Sequence, residues 1–84
     1  MQLHDMVEQV KSKEDLIKFI SALRNNLDTQ IGDWENSTLE RYFEAMEAWM
    51  NDMDSYYVNT NQLVPDQPTW KVFADILYAS KIYE

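Results

Sequence analysis

Between Leu39 and Tyr57 the residues Leu39, Tyr42, Phe43, Met46, Trp49, Met50, Met53 and Tyr57 share one helical face. At about 100° per residue, all of them fall within an arc of roughly 120°. A strand alternates every two residues and cannot use such a pattern. The sequence therefore demands a long amphipathic helix with something to pack against. Ser37, with Glu40 three residues on, is the expected start signal, and the helix is expected to end near Tyr57.

The flanking segments read as helices too. Leu3, Met6, Val7 and Val10 suggest a short leading helix up to about Lys11. Ser12 followed by Asp15 resembles a capping box, and puts a carboxylate where a helix amino terminus favours one. From there Leu16, Ile20, Leu23, Leu27 and Ile31 form one face, widened by Ile17 and Phe19. Gly32, the single glycine, is expected to terminate that helix or make a turn, since glycine takes positive φ without a steric penalty. Residues 58–67 carry turn formers and no helical period, and read as an ordered loop. Pro68 suits the first turn of a last helix, defined by Trp70, Phe73, Ile76, Leu77 and Ile82. Apolar residues wrap most of that helix, so it is expected at the centre of the packing, with Trp49 and Trp70 both in the core. Residues 60–64 could form an edge hairpin at most. The expected fold is all-α: three or four helices in a compact bundle, one domain over residues 1–84. With 84 residues the chain can bury only about 60–65% of its unfolded surface, which excludes a dinucleotide fold or a barrel with a deep cavity.

Composition narrows function. No 18-residue apolar window exists to span a membrane. The opening residues Met1-Gln2-Leu3-His4-Asp5 lack the basic patch and apolar run of an export signal, so the expected address is the cytoplasm. The absence of Cys excludes disulfides and thiolate-built metal sites. Asn36-Ser37-Thr38 matches a glycosylation sequon, but without an export signal it reads as a helix start. The net charge of −8 opposes direct contact with a nucleic-acid backbone.

That charge is local. Residues 28–66 hold nine acids and one base, Arg41, while the acids and bases elsewhere cancel. Within the long helix Glu40, Glu44, Glu47 and Asp54 lie at about 0°, 40°, 340° and 320°, one stripe beside the apolar arc. Glu40/Glu44 and Glu44/Glu47 are like-charge neighbours costing about 0.2–0.5 kcal/mol each, with no lysine at the compensating spacing. Two readings of the stripe compete: a solvated face that keeps the chain in solution, and a docking stripe for a basic partner. The acidic turn Asp33-Trp34-Glu35 favours the second, because an aromatic anchor beside acids suits an interface hot spot. Trp34 itself either caps the core or is presented for contact.

Catalytic chemistry is hard to find. His4, the sole histidine, has no indicated orienting partner or dry pocket. Glu44 and Glu47 share one exposed stripe, which cannot push their proton affinities apart. Asp52-Met53-Asp54 lacks the glycine and terminal glutamate of an EF-hand loop. The expectation is a protein that is not an enzyme and that holds no cofactor and no metal.

Several residues taken together carry a family resemblance: Trp34-Glu35-Asn36, Leu39, Phe43-Glu44-Ala45, Ala48-Trp49, Trp70, Phe73-Ala74, Leu77, Ala79 and Tyr83-Glu84. Over roughly residues 12–84 they resemble a small bacterial all-helical domain family of unknown function, with its W-E-N, W-x-x-F-A and closing Y-E. The resemblance implies no activity and no catalytic residue. The small, acidic, cysteine-free profile is also similar to bacterial immunity proteins, including those of contact-dependent growth inhibition systems. The expected function is thus an acidic binding protein that neutralises a basic protein, most concretely an immunity protein against a toxin with nuclease activity. The partner-binding residues would be Asp33, Trp34, Glu35, Glu40, Glu44, Glu47 and Asp54. An adaptor or homo-oligomer, with the Met/aromatic face as its interface and the acids solubilising, is the alternative.

Overall fold

The computed structural model describes residues 2–84, so Met1 of the amino-terminal reading lies outside it. Four α-helices follow one another: α1 (Leu3–Glu8), α2 (Lys13–Thr29), α3 (Leu39–Asn59) and α4 (Trp70–Ile82), with a 3-10 turn at Ile31–Asp33. No strand occurs among the described residues, and the all-α expectation holds. No helix among them is long and apolar enough to cross a membrane.

Local chemistry sets the boundaries. The Ser12 hydroxyl accepts from the Asp15 N–H at 3.1 Å, and the Asp15 carboxylate accepts from the Lys11 N–H at 3.1 Å. The first bond satisfies one of the donors orphaned at a helix start, and the second ties down the N–H just before the cap. α1 stops at Glu8, short of Lys11, because Val10 turns into the core. At α3 the cap is Thr38, whose hydroxyl accepts from the Arg41 N–H at 3.2 Å, and the expected Ser37 lies one residue outside. α3 runs past Tyr57 to a Schellman ending: the Gln62 N–H reaches the Tyr57 carbonyl (2.8 Å) and the Asn61 N–H that of Val58 (3.1 Å). Asn61, at φ 60°, takes the left-handed position there. Gly32 makes the expected turn, within the 3-10 segment Ile31–Asp33, but without a positive φ. Thr69 caps α4 through the Val72 N–H at 3.1 Å, which puts Pro68 before the cap and outside the first turn.

α4 packs against α1, α2 and α3, and α1 also rests on α2; among the described residues the backbone of α3 does not come close to that of α1 or α2. The last helix is therefore central, as its circumference of apolar residues required. Its two sides build two apolar clusters. Ala74 joins Val7, Val10, Leu16, Phe19 and Leu23, while Val72 and Ile76 join Trp49 and Tyr57. The result is a slab of 34 × 27 × 17 Å. Core membership departs from the sequence ladder in α2. Phe19 is wholly buried, whereas Ile20, Leu27 and Ile31 lie open, because nothing closes over that side of the helix. Trp49 is buried as expected, but Trp70 is 42% exposed and outside the core.

Candidate functional site

Since α2 and α3 both lean on α4 without meeting, an open groove runs between them. Ile20 and Leu27 line one wall, Leu39 and Tyr42 the other, with Leu77 and Trp34 completing an almost wholly apolar surface. Its volume is about 380 Å³. Trp34 is pinned there: its indole N–H donates to Asn26 Oδ1 at 2.8 Å, its ring lies 6.0 Å from that of Tyr42, and Lys81 Nζ sits 5.6 Å from its centre. Trp34 thus caps the first apolar cluster and also walls the groove. The Tyr42 hydroxyl donates to the Leu77 carbonyl at 2.8 Å, and burial pushes this phenol up to about 12.

The acidic stripe borders this surface. Around α3 the buried direction centres near 200° on the scale used above, with Phe43 and Met50 at about 280–300° and the acids from about 320° to 40°. Phe43 and Met50 are exposed, as are Glu40, Glu44, Glu47 and Asp54. Apolar surface therefore passes directly into negative surface along one edge of the helix. Among the described residues the ion pairs are His4–Asp5, Lys71–Glu8 and Lys71–Asp75, none of which involves the stripe. Glu40 stands in the first turn of α3, where the helix dipole favours an anion. Glu35 is exposed beside Trp34. Asp33 is set apart: it lines a different cleft, with residues of α1 and α2 and none of α3. Six of the seven sequence-derived residues thus lie on α3 or next to the groove, and Asp33 does not.

Asn36, adjoining Trp34 and Glu35, has a structural task. Its side-chain amide donates to the carbonyls of Ser80 (3.1 Å) and Tyr83 (2.7 Å), and its backbone N–H to that of Lys81 (3.1 Å). These are the carbonyls that a helix end leaves without partners. The W-E-N and Y-E segments of the sequence thus meet in space.

A second polar centre, which the sequence reading did not single out, lies across α4. The buried Asp75 carboxylate accepts from the Tyr57 hydroxyl at 2.6 Å and from Lys71 Nζ at 2.9 and 3.1 Å. Burial, then the hydrogen bond to Asp75, hold the Tyr57 phenol well above its ordinary range. The i,i+4 spacing of Lys71 and Asp75 looks like a surface pair, and no local pattern marks it as buried.

No curated protein and no solved structure matches the chain. A family described as "Family of unknown function (DUF7660)" matches residues 12–84, a span that contains Trp34-Glu35-Asn36, Trp70, Phe73-Ala74 and Tyr83-Glu84. The chain belongs to that family.

Proposed function

We propose that this protein is a binding protein that neutralises a basic protein partner. In its most concrete form the partner is a bacterial toxin with nuclease activity, and the chain is its cytoplasmic immunity protein, of the kind found in contact-dependent growth inhibition. One observation carries the reading: four exposed carboxylates on one edge of α3, unpaired with any cation among the described residues, continue into exposed apolar surface and an open groove. A nuclease holds phosphate in a positive cleft. A preorganised negative edge steers onto such a cleft, and association rises well above the unassisted ~10^5–10^6 M⁻¹s⁻¹ in a salt-dependent way. The groove beside the acids gives the partner's apolar side chains a place to lose water, which charge alone does not supply.

The test combines Glu40→Gln, Glu44→Gln and Glu47→Gln in one chain. A nuclease partner captured from the source cell should be inhibited by the native chain. The triple variant should fold as well or slightly better, yet associate more slowly and with a shallower salt dependence. Unchanged association and unchanged salt dependence would overturn the reading. The exposure of Leu39, Phe43 and Met50 favours one alternative, an adaptor or homo-oligomer built on that face. In that case sedimentation of the pure protein gives an oligomer that Phe43→Ser and Met50→Ser dissolve and the glutamine variant leaves intact.

A further inference from the structure

A cleft on the opposite side of α3 from the acidic stripe has its own chemistry. Because α1 and α3 both lean on α4 with their backbones apart, a space of about 470 Å³ opens between them. Trp49, Tyr56, Tyr78 and Tyr83 border it, together with the carboxylates of Glu8, Asp75 and Glu84. The rings are held in place. Trp49 and Tyr56 lie 5.6 Å apart with their planes tilted by 56°, which forms a corner, and the Tyr83 hydroxyl is fixed by Asp52 at 2.6 Å.

We propose that this cleft binds a quaternary ammonium group. Aromatic faces and nearby negative charge attract a cation, and a pocket with fixed rings loses little freedom on filling. Asp75 already receives Lys71 on both oxygens and Tyr57 on one, and Glu8 is shared with the same lysine at 3.8 Å, so neither offers an unshared fork to a guanidinium. A quaternary ammonium asks for no acceptor. It needs ring surface and diffuse negative potential: the carboxylates of Glu8, Asp75 and Glu84 outnumber the one lysine beside them, Lys71, which reaches Glu8 at 3.8 Å and Asp75 at 2.9 Å. The site is independent of the basic-partner reading, since it uses the face of α3 carrying Trp49 and Tyr56 and none of Glu40, Glu44, Glu47 or Asp54.

The experiment titrates the full chain with choline and, separately, with 3,3-dimethylbutanol, its uncharged isostere, following backbone and indole resonances. Choline is expected to shift Trp49, Tyr56, Ala79 and Tyr83 saturably, with the isostere at least about tenfold weaker. A peptide carrying trimethyllysine forms a second arm: tighter binding than choline identifies a protein side chain as the source, and the reverse identifies a small metabolite. Tyr56→Leu should weaken choline binding about fivefold or more while circular dichroism stays unchanged, and Tyr56→Phe should restore it. Equal binding of choline and its isostere, or no saturable shift with choline or the peptide, overturns the proposal.

Discussion

The side-chain amide of Asn36 donates to the carbonyl of Tyr83 at 2.7 Å, tying together two points 47 residues apart in the chain. The bond closes the connection between α2 and α3 onto the end of α4. It also fixes the backbone that presents Trp34 and Glu35 beside the groove.

Asn36→Ala removes the two side-chain donors and leaves the Ser80 and Tyr83 carbonyls unpartnered. The expected loss is about 1–3 kcal/mol, read as a lower urea midpoint with the slope unchanged. Asn36→Asp, almost identical in shape, should cost more than alanine, because it sets carboxylate lone pairs against carbonyl lone pairs. If aspartate is the milder change, the hydrogen bonds are not what holds the segment.

Alkaline titration should expose the buried phenols. Burial raises Tyr42 from 10.0 to about 12, and Tyr57 is also raised, by burial and by its bond to Asp75. In the unfolded chain both ionise near their ordinary value, so above it the folded state binds more protons and stability falls with rising pH. For Tyr42 the contribution is complete below pH 10.0 and is lost as pH climbs towards about 12. Urea unfolding measured at steps through that window should show the decline, and Tyr42→Phe should make it shallower. An identical slope in the variant would remove Tyr42 from the account.

The two turn residues exchange the roles that composition suggests. A Cβ added to Gly32 would meet nothing within 4 Å, and Gly32 does not have a positive φ. Gly32→Ala is expected to stabilise by about 0.4–1 kcal/mol through the unfolded chain. Asn61 sits at φ 60°, so Asn61→Ala should cost about 1 kcal/mol and Asn61→Gly much less. Thermal midpoints of the three variants check the order, and a stabilising Asn61→Ala would contradict the turn geometry.

These residues also show what a sequence can disclose. The α3 period and the Ser12–Asp15 cap are local, encoded within a few residues, and they were legible almost to the position. Adjacent hydroxyls at Ser37 and Thr38 are interchangeable locally, and only the chain direction chose Thr38. In α2 the ladder through Ile20 and Leu27 has the same period as one that is buried. Exposure there depends on α3 staying away from α2, which is a tertiary fact. Trp70 opens its helix at the rim of a cleft shared with Val10 and Lys11 and stays 42% exposed, so its size alone misled. The angular stripe of Glu40, Glu44, Glu47 and Asp54 needed only helix geometry and was visible early. The separation of Asp33 depended on a 3-10 turn, whose direction no pattern announces. Asp75 was hidden for a related reason: its burial is created by Tyr57 on another helix.

The helix on which the others close is also the last of the four to be synthesised. Until Trp70 and the residues after it have left the ribosome, α3 has no surface to rest on, and α1 and α2 have only each other. Helices draw most of their stability from packing an apolar face, and until then these have little to pack on. The aromatic face of α3, with Trp49 and Tyr57, therefore stays uncovered until Val72 and Ile76 have emerged.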